Sequence, residues 1–120
     1  MNCTDYYEQI VSGTDIKTNL QQLRKALKDL PAADIPSVIA ADGALFTGLL
    51  SNDDPKVRQN AAHILGILKI KGTEEALFAS YLQDGTLYNK AAYLNALAGM
   101  DHSSLDERLS ERRNELILGT

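Results

Sequence analysis

Leu49-Leu50-Ser51-Asn52-Asp53-Asp54-Pro55-Lys56-Val57-Arg58-Gln59-Asn60-Ala61-Ala62-His63-Ile64-Leu65-Gly66-Ile67-Leu68 is the stretch on which the fold turns. Wound as a helix, its Val57, Ala61, Ile64, Leu65 and Leu68 fall on one arc, the apolar stripe of a helix packed against a core. Its start is legible. Asp54 can cap free N–H groups, and Pro55 suits the first helical position, where its missing donor costs nothing. Lys69 and Lys71 stand where the carbonyl end of the helix dipole favours cations, and Gly72 offers a left-handed stop. The pattern predicts a helix over residues 55–70.

Working outward, Leu45, Phe46, Leu49 and Leu50 are echoed 32 positions later by Leu77, Phe78, Tyr81 and Leu82. Val57 and Ala61-Ala62 are echoed 30 positions later by Leu87 and Ala91-Ala92. Two copies of one unit follow, the later with a turn two residues shorter. Self-similarity at this period signals stacked supersecondary units sharing one core. On this alignment Asp84 replaces Asp54, Gly85 replaces Pro55 and Tyr88 replaces Arg58. The apolar stripe of the later helix becomes Leu87, Ala91, Leu94, Asn95 and Ala98. A shorter helix precedes each long one: residues 43–50, capped by Asp42, and residues 74–82, capped by Thr73 and opened by Glu74 and Glu75. The short loops 51–56 and 83–86 force antiparallel pairs.

The flanks read as helices too. Ile16, Leu20, Leu23, Leu27 and Leu30 make a stripe that Thr14 or Asp15 opens and Pro31 ends, and residues 34–40 form a short helix opening at Pro36. Ser104 and Glu107 suit a capping box for a last helix faced by Leu105, Leu109 and Leu116. No segment alternates with period two. The expectation is an all-α single domain over residues 1–120, made of antiparallel helical hairpins. Its best repeats are 43–71 and 73–99, with divergent flanks at 14–40 and 104–118.

The span 45–71 resembles the HEAT repeat in its short, PBS-lyase-type HEAT-like form, carried by Leu49-Leu50, Asp53-Asp54-Pro55, Val57-Arg58, Ala61-Ala62 and Leu65-Gly66. A poorer match covers 74–99. The resemblance implies hairpins stacked as a short HEAT-like α-solenoid. It also implies an inter-repeat polar ladder of turn aspartate and second-helix arginine, here Asp53 and Arg58, that stops where Tyr88 replaces the arginine. More narrowly, the run from the helix of Leu20 and Leu30 through Lys56-Val57-Arg58-Gln59-Asn60 to Tyr93-Leu94 and Leu97 is similar to the HEAT segment preceding some bacterial RNA methyltransferases. That likeness implies a front module lacking the catalytic part.

Composition bounds the function. The 120 residues are 44% hydrophobic and carry 12 basic against 16 acidic residues, a formal charge of -4, so any attraction for phosphate backbones or anionic lipid must be local. Cys3 is the single cysteine, which rules out an internal disulfide and reads as a bystander thiol near a frayed terminus. No leader pattern and no apolar run approaching the ~20 residues of a membrane span is present, so a reducing cytoplasm is the expected home and no membrane partner is expected.

Catalytic groups are sparse. His63 and His102 lack metal-ligand spacing, Asp53-Asp54 reads as a turn and cap, and Ala41-Asp42-Gly43 is too short for a nucleotide loop. No enzyme activity, cofactor, metal or small-molecule substrate is expected. In such repeats the second helices line the inner curve, and rotation away from the predicted stripes exposes Gln59, His63 and Ile70, then Asn89, Tyr93 and Met100, bordered by Lys90. The expected partner-binding residues are Gln59, His63, Asn89, Lys90 and Tyr93, and this mixed surface suits a protein partner or a covalently linked domain. RNA is the alternative: Lys17, Arg24 and Lys28 align along one helix flank, and residues 51–71 sum to +2.

Overall fold

The computed structural model describes residues 2–98, and within them the chain is all-helical, with no strand. Its helices are α1 (Cys3–Val11), α2 (Ile16–Lys28), α3 (Ser37–Ala40), α4 (Gly43–Leu49), α5 (Pro55–Leu68), α6 (Glu74–Gln83) and α7 (Leu87–Ala98), with a 3-10 turn at Ala32–Asp34. Neighbours in sequence pair: α1 packs on α2, α4 on α5, and α6 on α7. The second members then lie side by side, α5 in the middle, touching α2 on one flank and α7 on the other. The predicted helix at 104–118, with Met100 and His102, lies outside the described residues.

α5 is the hub because its ends and its stripe agree. The Asp54 carboxylate accepts the Lys56 N–H at 2.8 Å, Pro55 takes the first helical position, and Ala61, Ala62, Ile64 and Leu65 are fully buried. Its left-handed stop falls at Lys69 (φ 51°), whose N–H donates to the Leu65 carbonyl, rather than at the predicted Gly72. Gly72 is also left-handed (φ 94°) but belongs to the turn into α6, where its N–H is accepted by Glu74.

α1 replaces the expected frayed terminus. Asn2 and Asp5 cap it reciprocally, and Cys3 and Ile10 are buried in the common core with Leu20, Leu23 and Leu27 of α2. Cys3 is therefore a packed side chain, and burial pushes its thiol pKa up. The Tyr7 hydroxyl donates to Asp42 at 2.6 Å, and that same carboxylate caps α4 through the Leu45 N–H. One polar residue thus fixes α1 against the start of α4.

α7 corrects the predicted stripe. Leu87 is 81% exposed and Leu94 48%, and Ala91, Asn95 and Ala98 also face outward. Buried instead are Asn89, Ala92, Tyr93, Ala96 and Leu97, which stand 32 positions after Val57, Asn60, Ala61, Ile64 and Leu65. The two units share one offset of 32, and the second turn is not shortened. Corner chemistry agrees: the Asn52 side-chain oxygen accepts the Asp54 N–H at 2.9 Å, and Asp84 accepts the Thr86 N–H at 2.9 Å. α5 and α7 also approach closely. A methyl placed on Gly66 would lie 2.9 Å from the Ala96 Cα.

Candidate functional site

Asp84 opens the turn between α6 and α7 and is buried. Its Oδ2 accepts from Arg58 Nε at 3.0 Å, Asn89 Nδ2 at 3.1 Å and the Tyr93 hydroxyl at 2.6 Å, while Oδ1 takes the Thr86 N–H. Arg58 also donates to the carbonyls of Asn52 (2.9 Å) and Asp53 (3.1 Å), and Asn89 donates to the Pro55 carbonyl at 3.0 Å. The corners of successive hairpins are thereby tied into one polar knot beside a cleft of about 400 Å³. Burial alone would raise the Asp84 pKa. The donations from Tyr93, the Thr86 N–H, Arg58 and Asn89 overcome it and hold the carboxylate far below the ordinary range. Burial and the bond to Asp84 push the Tyr93 phenol up, and the Asp84 bond pushes Arg58 up.

This knot revises the expected ladder. The carboxylate paired with Arg58 is Asp84 of the next unit, and Asp53, which is exposed, contributes its backbone carbonyl alone. With the offset at 32, the residue at Arg58's place in the second unit is Lys90, not Tyr88. Lys90 reaches back to the Tyr81 carbonyl at 2.7 Å and lies 4.7 Å from the Tyr81 ring centroid. Asp54 keeps its capping role and adds an ion pair with Lys17 at 3.4 Å. The Lys56 N–H, above all, draws its pKa down.

The expected partner patch divides. Gln59 and His63 are half-buried on the face that α5 shares with α2. Asn89 and Tyr93 are 2% and 0% exposed, so neither belongs to a surface, and Lys90 is engaged with Tyr81. The residues that continue the Lys56, Gln59 and His63 row onto α7 are those 32 positions on: Tyr88, which is 80% exposed, Ala91 and Asn95. Sequence reasoning missed this row because the apolar residues of α7 encircle it. The findable signal was the Asx turn at Asn52 and Asp84, which sets the period directly.

On the α2 side, Lys17, Gln21, Arg24, Lys56, Gln59 and Asn60 line a groove of about 170 Å³. Burial, then the charges of Arg24 and Lys28, push the His63 pKa down and favour its neutral form. Charge is segregated by layer. α2 carries Lys17, Arg24, Lys25 and Lys28, α5 carries Lys56 and Arg58, α7 carries Lys90, and none holds an Asp or Glu. α1 and α6 hold Asp5, Glu8, Glu74 and Glu75 with no Lys or Arg.

Among the described residues no cluster of three His, Cys, Asp or Glu side chains is arranged to hold a metal ion, and no helix is long and apolar enough to cross a membrane. No protein-family model matches the chain, and comparison with curated proteins and with solved structures gives no match.

Proposed function

We propose that the chain is a non-catalytic helical-repeat interaction module, a short HEAT-like α-solenoid that presents its second-helix layer of α2, α5 and α7 to a protein partner. The observation that carries this reading is the uniform offset of 32 between two hairpins whose corners are bonded through Arg58 and Asp84. α7 supports it further. Gly66 of α5, which meets Ala96, corresponds to the exposed Ala98, and the buried Ala62 corresponds to the exposed Leu94. Among the described residues the α7 side of the stack is thus left uncovered, which suits a further protein surface. The strongly shifted groups Asp84 and Tyr93 are bonded to each other, and Asp84 to Arg58, which suits a rigid scaffold better than proton transfer.

The contact row is Gln59 and His63 on α5 with Tyr88, Ala91 and Asn95 on α7, an amide, aromatic and apolar mixture suited to protein. The second reading, an accessory RNA-substrate-binding module of an RNA methyltransferase, draws on the acid-free second-helix layer. Site-specific photo-crosslinking separates the two. A crosslinker at position 88 is expected to yield a discrete protein adduct that survives ribonuclease. One at position 11, where Val11 is exposed on α1, is expected to yield none. An adduct that ribonuclease removes would establish the RNA reading instead, and equal adducts at both positions would end the assignment of this face.

A further inference from the structure

Resting on the proposed role as a protein-binding module, we infer that the groove between α2 and α5 takes a short acidic segment of the partner, with Lys17, Arg24, Lys28 and Lys56 as its carboxylate contacts.

Charge placement is the first argument. A chain with a formal charge of -4 has kept every acid off α2, α5 and α7. Two of the bases there are already occupied, Arg58 by Asp84 and Lys90 by Tyr81. Among the described residues Arg24, Lys28 and Lys56 have no such engagement; Arg24 and Lys56 line the groove, and Arg24 and Lys28 act electrostatically on His63 beside it. Asp54, which pairs with the groove residue Lys17, already spends its carboxylate on capping α5. His63 cannot supply a counter-charge, because an imidazole is either neutral or cationic. Among the described residues, the lining of this groove holds cations and amides and no acid.

Size selects the occupant. Lys17 to Lys28 spans eleven helical steps, about 16 Å at the helical rise. An extended peptide covers that length in about five residues, and acids at alternate positions fall about 7 Å apart on one side of it. The amides of Gln21, Gln59 and Asn60 between the cations offer both donors and acceptors to such a backbone. Four cations are few for a nucleic acid, where specific proteins neutralise about 6–10 phosphates, and the acidic remainder of the chain would repel a longer polyanion. A short acidic peptide fits the footprint better than a phosphate backbone.

The test uses the full chain and fluorescence anisotropy with a short labelled peptide of alternating Glu and Gly, beside a labelled oligouridylate of equal charge. The peptide is expected to bind at low ionic strength. Arg24→Glu with Lys28→Glu is expected to weaken it about tenfold or more, whereas Lys69→Glu with Lys71→Glu, which reverses charges beyond the C-terminal end of α5, changes it less than about twofold. Arg24→Gln with Lys28→Gln serves if charge reversal impairs folding, with circular dichroism checking each variant. Absence of peptide binding, equal loss in the 69/71 pair, or tighter binding of the oligouridylate would each overturn the inference. A protein adduct at position 88 alongside a failed peptide experiment would remove this groove assignment and leave the module reading standing.

Discussion

Asp84 accepts four hydrogen bonds at one carboxylate, and its donors come from different parts of the fold. Arg58 reaches from α5, Asn89 and Tyr93 belong to α7, and the Thr86 N–H closes the turn. Removing one donor leaves the others in place, so Tyr93→Phe is expected to cost about 1–3 kcal/mol in urea unfolding. Asp84→Asn removes the charge itself and leaves Arg58, whose side chain is 21% exposed, without its counter-ion, so about 3 kcal/mol is expected, the low end for a broken buried pair. The pH dependence has a definite sign. Because the folded Asp84 pKa is depressed, its contribution is present above the ordinary carboxylate value of about 3.9 and is lost as pH falls below it. Because the folded Tyr93 pKa is raised, its contribution is present below about 10 and is lost as pH rises beyond. Unfolding free energy measured against pH should therefore have a shallower acid limb in Asp84→Asn and a shallower alkaline limb in Tyr93→Phe. A Tyr93→Phe curve parallel to wild type above pH 10 would contradict the knot.

α5 and α7 show where sequence is legible and where it is not. In α5 the Asp54-Pro55 start and the apolar arc point to the same face, so cap, boundaries and buried side chains can be read directly. α7 is apolar on nearly every side, and its interior carries Asn89 and Tyr93 because Asp84 satisfies them. Hydropathy therefore chooses the wrong phase, and the Ala61-Ala62 and Ala91-Ala92 coincidence reinforces it. That error carried two of the five expected partner residues, Asn89 and Tyr93, from core to surface. Gln59 and His63 escaped it because they were read from α5. The phase is open to a direct comparison. Leu65→Ala, at a fully buried site, is expected to cost about 2–5 kcal/mol, whereas Leu94→Ala is expected to cost about 0.5 kcal/mol or less. The shorter offset would make Leu94 the equivalent of the buried Ile64 and bring its cost up to that of Leu65. Gly66→Ala tests the α5–α7 approach. Alanine gains about 1 kcal/mol of helix propensity, but its methyl would meet backbone at 2.9 Å, and overpacking of that kind costs about 1–3 kcal/mol. A lower urea midpoint is expected, and a higher one would mean that the two helices part easily.

Across the whole molecule the separation of charge between layers has a cost of its own. α2 carries Lys17, Arg24, Lys25 and Lys28, of which Lys17 and Arg24 share a groove with Lys56 of α5, and Asp54 pairs with Lys17. Two like charges about 10 Å apart in water repel by about 0.4 kcal/mol, so several such pairs sum to about 1 kcal/mol at low salt. The acids of α1 and α6 offset little of this, because they belong to the partner helices beneath that layer. A Debye length of about 30 Å at 0.01 M salt leaves the repulsion nearly whole, and one of about 8 Å at 0.15 M screens most of it. Raising salt between these limits is therefore expected to raise the urea midpoint, by an amount corresponding to a few tenths of a kcal/mol up to about 1 kcal/mol. Arg24→Gln with Lys28→Gln should be more stable than wild type at low salt and should gain less from added salt. A wild-type midpoint that falls with salt would mean that attraction between the layers outweighs repulsion within one. In that case the second-helix face would hold no unmatched positive charge for a partner to neutralise.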